Sequence, residues 1–415
     1  MADHRPLLTL DEVMSRLLAG AHEHAIAERE TLSTFDALGR MLTEAVHSAL
    51  DVPPEDNTSM DGYALHADDV TAEGAVLPVL QRIPAGVVGQ ALARGTAARI
   101  FTGAQLPPGA SAVVMQEQCE ALPGDGLGLV RVNTVPRAGQ WIRRRGEDVT
   151  RGSTVLQPGI RLSPQALGLA ASVGAATLSV CRRPRVAVFS TGDELVMPGQ
   201  PLKPGAIYNS NRFMLRGLLQ AAGCEVVDLG IVPDRLDATC DALRRAAAGN
   251  DLILTSGGVS AGEEDHLRPA VQSLGWIENW QVAIKPGKPL AFGGVRRADR
   301  SSAVFVGLPG NPVSTFVNFL LAVSPVLRVM QGGSGELPQA LQLRADFDWP
   351  RADRRREFLR VRLTAEGALT LFGNQSSGVL TSAVWGDGLV DNPAGQVIQR
   401  GDSVRFLPFA ELLGR

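Results

Sequence analysis

From Leu10 to Leu50 apolar residues recur at three- and four-residue spacing, in LDEVMSRLLAGAHEHA and again in FDALGRMLTEAVHSAL, and this periodicity predicts amphipathic helices. Asp11 stands where the first helix would take its N-cap. DVPPEDN then breaks the pattern, and residues 56–145 become short apolar runs separated by Gly and Pro: VLPVLQRI, TAARIFTG, SAVVMQEQ and GLVRVNTV. Such runs predict a small β-rich domain with few helices. Gly and Pro punctuate the stretch up to residue 182 as well, where a helix is expected with Ser163 as N-cap and Pro164 in its first position. That stretch has the character of a connecting module.

At Arg185 the pattern changes. Apolar strands alternate with amphipathic helices in RVAVFST, NRFMLRGLLQAAG, EVVDLGI, DRLDATCDALRRAAAG, DLILTSGG and HLRPAVQSLG, the order of a parallel sheet with crossover helices. Beyond QGGSGELP, the runs FLRVRL, ALTLFG and SVRFLPF predict a small β-barrel or sandwich. The chain therefore divides into an N-terminal helical part of the connecting module (1–50), a β-rich second domain (51–145), the rest of the connecting module (146–182), an α/β domain (183–333) and a β-barrel domain (336–415).

A chain of 415 residues with 45% apolar content has material for several cores. Its net charge of -3, from 40 basic and 43 acidic residues, gives no broad basic surface and argues against nucleic acid as a partner. The four cysteines form no C-x-x-C pair and the six histidines are scattered, which argues against thiolate or imidazole metal sites. MADHRPLLTL lacks the charged-then-apolar order of a signal peptide. The longest apolar run, FVNFLLAVSPVL, is interrupted by Pro325 and short of a membrane span. A reduced, soluble, cytoplasmic protein with no membrane partner is expected.

In an open parallel sheet ligands sit beyond the carboxyl ends of the strands, so the loops there are where chemistry is sought. They carry Ser190-Thr191-Gly192-Asp193-Glu194, then Pro233-Asp234, then the run from Ser256 through Gly257, Gly258, Ser260 and Gly262 to Asp265, and finally Pro309-Gly310-Asn311-Pro312. The glycines of the third loop let backbone approach a phosphate, although the Lys-Ser/Thr ending of a P-loop triphosphatase is missing. Asn311 is expected to cap a helix beginning at Pro312 and to leave free N–H groups facing the crevice. Lys285 and Lys288 flank a Pro-Gly turn stiffened by two further prolines, a rigid pair suited to phosphate or another oxyanion. Asp234 reads either as an N-cap, with Asp237 three residues on, or as a site acid. Glu194, Asp234 and Asp265 either hold Mg²⁺ against phosphate oxygens or pair with the lysines. In DNTSMDGYAL, Asp61 and Gly62 read either as a turn into a strand or as a functional acid beside a glycine.

SMDGYAL, IFTGAQLPPGASAVV, RRRGEDVTRGSTVLQPGIRLSPQALGLAASVG, FSTGDEL, YNSNRFML, TSGGVSAGEED, KPGKPLAFG and GLPGNPVS follow one another in an order that resembles the molybdopterin molybdenumtransferase family. The likeness covers nearly the whole chain, and the family is related to the terminal domain of gephyrin. The resemblance implies an α/β multidomain fold: a parallel-sheet molybdopterin-binding domain, a β-rich second domain, a connecting module and a C-terminal β-barrel. It implies an elongated homodimer whose cleft faces the second domain of the other subunit. The implied reaction inserts molybdenum from molybdate into adenylylated molybdopterin, with Mg²⁺ as cofactor and release of AMP. Docking with the molybdopterin adenylyltransferase and with acceptor molybdoenzymes is implied as well.

Carried over residue by residue, the catalytic set is Asp61, Thr102, Asp148, Glu194, Asp234 and Asp265, the last three also holding the metal. Substrate would be bound by Ser190, Thr191, Gly192, Asp193, Ser256, Gly257, Gly258, Ser260, Lys285, Lys288, Pro309, Gly310, Asn311, Pro312, Arg355 and Ser377. Within Arg354-Arg355-Arg356 the matching arginine is open by one residue, and Ser111 departs from an acid expected at a strand edge. Two alternatives are a molybdopterin adenylyltransferase, whose usual form lacks the flanking domains, and a non-catalytic gephyrin-like scaffold, which has no need of the acids and lysines.

Overall fold

The computed structural model describes residues 7–259 and 266–414, with Asn279 described by its backbone alone. Strand Arg185–Thr191 pairs in parallel with Glu225–Val232 on one side and Leu252–Ser256 on the other, and Leu252–Ser256 pairs in parallel with Ser302–Leu308. Helices Ser210–Ala221, Leu236–Ala247 and Leu267–Leu274 lie among these strands in chain order. The sheet is covered on both faces: Val186, Val188, Leu252 and Leu254 enter one core, Ala187, Phe189, Ile253 and Phe305 the other. Strands buried on both sides read as the near-continuous apolar runs seen in the sequence. The sheet is mixed, however, because Pro289–Arg296 and Gly275–Gln281 extend it antiparallel. The turn of residues 297–301 leaves no room for the crossover helix that a parallel step requires.

Helix Leu10–Glu23 forms as expected, but Thr9 caps it instead of Asp11. Thr9 accepts the Glu12 N–H and Glu12 accepts the Thr9 N–H, a reciprocal box that needs an acid three residues after the cap. Its Leu10, Val13, Leu17 and Ala21 join the α/β core. The helix expected over residues 35–50 is absent. Gly39 takes φ 72°, Met41 and Leu42 bridge Arg161 and Val180, and Val46–His47 pairs with Thr154–Leu156. Apolar spacing there serves a tertiary core, Ala37, Leu42 and Val46 against Leu162, Ala170 and Val180, which overrides helix propensity. With Arg29–Ser33 paired to Thr177–Cys181, the connecting module is stitched from segments on either side of the β-rich domain. Helix Pro164–Ser172 begins as expected, the Ser163 side chain accepting the Ala166 N–H.

In the β-rich domain Gly62–Leu65 lies between Ala97–Ile100 and Ala112–Met115. Gly62 is a strand residue and not part of a turn: a Cβ there would stand 1.9 Å from the Val114 carbonyl oxygen. Close strand approach, not backbone freedom, requires glycine. At the C-terminus Leu341–Ala345, Arg356–Leu363, Ala368–Leu371, Gly388–Asn392 and Ser403–Pro408 close into a five-stranded barrel, the Arg356 strand pairing with both Ala368–Leu371 and Gly388–Asn392. Pro325 does not break the long apolar segment. Pro312–Met330 is one continuous helical run whose Phe319–Val323 portion widens to a π-turn before the proline. Among the described residues it is the one helix long and apolar enough to cross a membrane, and 83% of its apolar window is buried in the core.

Gly62→Ala is expected to destabilise the β-rich domain by about 1–3 kcal/mol through overpacking against Val114, read as an earlier urea midpoint; an unchanged midpoint would contradict the close approach.

Candidate active site

Where the α/β sheet ends, Ile284–Lys285 pairs in parallel with the barrel strand, Ile284 opposite Arg356 and Lys285 opposite Glu357. This seam sets the lysine turn beside the barrel. A cleft of about 600 Å³ opens there, and Gly257, Gly258, Lys285, Lys288, Pro309, Gly310, Asn311, Arg355 and Ser377 all line it. Residues from three sequence-distant loops and from the barrel thus converge as expected. The turn is clamped from below: Gly287 has φ 109°, and a Cβ on it would meet Asn318 Nδ2 at 2.1 Å. Buried Asn318 donates to the carbonyls of Gly287, at 3.1 Å, and Ser314, at 2.9 Å.

Lys285 does pair with acids, but with two that the sequence reading missed. Its Nζ lies 3.0 Å from Glu357 Oε1 and 3.2 Å from Asp353 Oδ2. Glu357 is 1% exposed and also accepts the Trp349 indole N–H at 2.7 Å. Arg355 forks onto Asp353, Nε to Oδ1 at 3.0 Å and Nη2 to Oδ2 at 2.9 Å. Burial pulls the Lys285 ammonium down, yet bonding to Glu357 and then Asp353 outweighs it and holds the group above its ordinary value. Asp353 is held well below the carboxylate range, chiefly by Arg355, with Lys285 adding to the effect. An ammonium has three donors, so with two engaged one N–H of Lys285 is left for a ligand. Asp353, Arg355 and Glu357 stand two residues apart at the entry to the barrel strand Arg356–Leu363, and that alternation of acid and base was the available signal. Of the three consecutive arginines, Arg355 lines the cleft while Arg356 turns to buried Asp391.

The start of helix Pro312–Asn318 corrects a second expectation. Asn311 occupies the N-cap position without a side-chain capping bond, Pro312 has no N–H, and the Val313 N–H donates to the Ser377 carbonyl at 2.9 Å. Fewer N–H groups therefore face the cleft than a free helix end would offer. The loop is fixed instead by Thr315 Oγ1 donating to the Pro309 carbonyl at 2.6 Å and Asn211 Nδ2 donating to that of Gly310 at 2.7 Å. Gly257 and Gly258 stand at φ 90° and 67°, and a Cβ on either would come 3.0 Å from a Thr191 oxygen, while Ser190 and Ser256 are interior with hydroxyls 3.2 Å apart. Buried Arg360, its guanidinium pushed down to about 10 by burial, donates to Ser376 and Phe358 carbonyls and holds the barrel wall of the cleft.

A second depression of about 500 Å³ shares Gly257, Gly310 and Asn311 with the first and adds Thr191, Glu194 and Tyr208. A third, of about 740 Å³, shares Glu194 with the second and adds Asp193 and Lys203. The Glu194 carboxylate folds back over Gly192, at φ 142°, so closely that a Cβ there would meet its Oε2 at 2.6 Å. Asp234 is not an N-cap: Arg235 holds that position, and the Asp234 N–H donates to Asp193 Oδ1 at 3.2 Å. Among the described residues no three acids, histidines or cysteines gather into a metal-binding group. Asp265 and Ser260 lie outside the described residues.

On the β-rich domain Thr102 donates to Asp61 Oδ1 twice, from its N–H at 2.8 Å and its hydroxyl at 2.7 Å. Those bonds, the backbone one foremost, hold the Asp61 carboxyl below its usual range, with Arg99 adding attraction. Asp148 is exposed, its N–H bonded to the Val52 carbonyl at 3.0 Å. None of these three lines the cleft or its extensions within the same chain. Ser111, where an acid was expected, accepts the Ala67 N–H at 2.9 Å.

Residues 8–174 match the family described as MoeA N-terminal region (domain I and II), residues 187–329 the probable molybdopterin binding domain, and residues 342–409 the MoeA C-terminal region (domain IV). The chain is 36% identical to the molybdopterin molybdenumtransferase of Haemophilus influenzae, over 98% of this chain and 100% of that one. It is 37% identical to molybdopterin molybdenumtransferase 2 of Mycobacterium tuberculosis, over 90% and 94%. A crystal structure of the molybdopterin biosynthesis moeA protein from Pyrococcus horikoshii OT3 superposes with TM-score 0.79 at 28% identity, over 97% of this chain and 99% of that one.

Thr102→Val removes one of the two Asp61 bonds and keeps the backbone donor. The Asp61 carboxyl is then expected to titrate higher, closer to an ordinary aspartate, in a carbon-13 NMR titration; an unmoved titration would show that the hydroxyl contributes nothing.

Proposed function

The chain belongs to the molybdopterin molybdenumtransferase family, and on that premise we propose that it takes molybdate and adenylylated molybdopterin and releases AMP as molybdenum enters the dithiolene. Molybdenum insertion into molybdopterin, a step of molybdenum cofactor biosynthesis, is the activity of this family. The observation that carries the finer reading is the convergence of Lys285, Lys288 and Arg355 on one cleft floored by Gly257 and Gly258. Molybdate is a tetrahedral dianion, and charge-assisted N–H donors from three directions suit it. The glycines let backbone approach an anion closely, and the adjoining depressions of about 500 and 740 Å³ past Glu194 offer space for the rest of a nucleotide-bearing substrate. Lys285, Lys288 and Arg355 are then placed to stabilise the negative charge that builds as the phosphoanhydride link breaks.

Magnesium is assigned to Glu194 and Asp234, with Asp265. Glu194 lines the groove, and Asp234 adjoins it through its N–H on Asp193, which lines it too; such carboxylates would suit Mg²⁺, which is commonly held by one or two carboxylates together with substrate phosphates. Asp61, Thr102 and Asp148 are assigned to the cleft of a second copy in a homodimer, since they stand apart from the cleft of their own chain. The open cleft is where the adenylyltransferase would hand over substrate and acceptor molybdoenzymes would collect product. Four free cysteines accord with a cytoplasmic setting.

With adenylylated molybdopterin and Mg²⁺ supplied, AMP release is expected to depend on molybdate; release at the full rate without it would overturn the proposed reaction. Glu194→Gln should leave a folded protein and slow AMP release strongly, and loss of folding instead would make Glu194 a structural residue. Co-expression of the inactive variants Asp61→Ala and Lys285→Ala tests the shared site. Random mixing gives half mixed dimers, each with one intact cleft, so about a quarter of wild-type activity should return. If mixed dimers form without activity, the site lies within one chain.

A further inference from the structure

Two cations of the cleft come from different domains. Lys285 ends the segment that leaves the α/β sheet, and Arg355 stands just before the barrel strand Arg356–Leu363. Both rest on the same oxygen: Asp353 Oδ2 is 3.2 Å from Lys285 Nζ and 2.9 Å from Arg355 Nη2. The two nitrogens therefore cannot be further apart than those two contacts span. Asp353 is itself held in place, its Oδ1 accepting both the Arg355 N–H and Nε, each at 3.0 Å, and its carbonyl accepting the Gly395 N–H at 2.7 Å. Its side chain is 22% exposed, and it does not line the cleft that Lys285 and Arg355 line, so it sits behind them. Without it, Lys285 keeps only Glu357 as its acid partner, and nothing offsets its repulsion from Arg355 or ties the two cations together.

We propose that Asp353 is a positioning residue for the oxyanion: it ties the Lys285 ammonium and the Arg355 guanidinium to one carboxylate and thereby fixes the two-domain fork that receives the substrate anion. The proposal rests on the reading of the cleft as an oxyanion seat. It differs from the role of Glu357, which is buried beneath Lys285 and shared with Trp349 and touches no second cleft cation. A carboxylate bridging two cations offers an acceptor to each. Its carboxamide counterpart keeps a single acceptor oxygen and no charge, and alanine keeps neither.

The test measures molybdate binding by calorimetry and molybdate-dependent AMP release for the wild type, Asp353→Asn and Asp353→Ala, with AMP binding and thermal melting as controls. Asp353→Ala is expected to raise both the Kd and the KM for molybdate at least about 10-fold, the scale of one misplaced charge-assisted contact. AMP affinity should stay near wild type, kcat should fall together with molybdate affinity because the same two cations stabilise the breaking link, and Asp353→Asn should fall between. A merely structural residue would instead lower the melting temperature and weaken AMP and molybdate alike, which overturns the proposal. Unchanged or tighter molybdate binding in both variants overturns it too, because Asp353 would then be only a competitor for the cations. If Asp353→Ala does not fold, Asp353→Asn alone decides. If the wild type itself binds no molybdate, the oxyanion reading of the cleft fails and this proposal falls with it; a wild type that binds normally beside indifferent variants sinks the positioning role alone.

Discussion

The α/β domain and the barrel are joined by a parallel pairing only two residues long, Ile284–Lys285 against Arg356 and Glu357, and the cleft exists because of it. Segments entering a domain junction bring backbone donors and acceptors that must find partners away from water. Here they find one another. The Arg356 N–H donates to the Ala283 carbonyl, and on the other flank Leu8 bridges Val282 and accepts the Ala283 N–H, so the chain just before helix Leu10–Glu23 is pinned to the same segment. Once that register is set, Lys285 must lie over Glu357 and within reach of Asp353, and the following Pro-Gly turn must face the loop at Pro309–Asn311.

Charge balance follows from the seam. Three cations at one cleft would be costly in an empty protein, and burying a lone ammonium more so. Glu357 and Asp353 offset Lys285 and Arg355, leaving the exposed Lys288 and the remaining Lys285 donor without an acid of their own at the cleft lining among the described residues. Attraction is thereby kept local, in keeping with a chain whose overall charge is only -3. The helix beginning at Pro312 contributes shape more than donors, because Ser377 has already taken the Val313 N–H.

Much of this was legible in the sequence, for identifiable reasons. Strand-helix alternation after Arg185 reflects burial of the sheet on both faces, and the glycines at 257 and 258 announce positive φ. The lysine turn and the Pro309–Asn311 loop line one cleft, the loop marked by the rule that strand ends gather ligands and the turn by its paired lysines among prolines. What was hidden is long-range. FDALGRMLTEAVHSAL has helical spacing, yet strand pairing with residues 154–181 claims its apolar groups. Gly62 looked like a turn glycine because nothing local reveals Val114 pressing on it. Asp353 and Glu357 escaped notice because their partner Lys285 lies about seventy positions earlier in the chain and meets them only through the seam.

On the function proposed above, the cleft at this seam is an oxyanion seat built on its two lysines. Calorimetric titration of molybdate into the wild type and into a Lys285→Met/Lys288→Met double variant addresses it directly. Saturable binding to the wild type is expected, with a loss of about 1.5–3 kcal/mol for each charge-assisted contact removed and with the fold and AMP binding preserved. Equal molybdate affinity in the two proteins would contradict it.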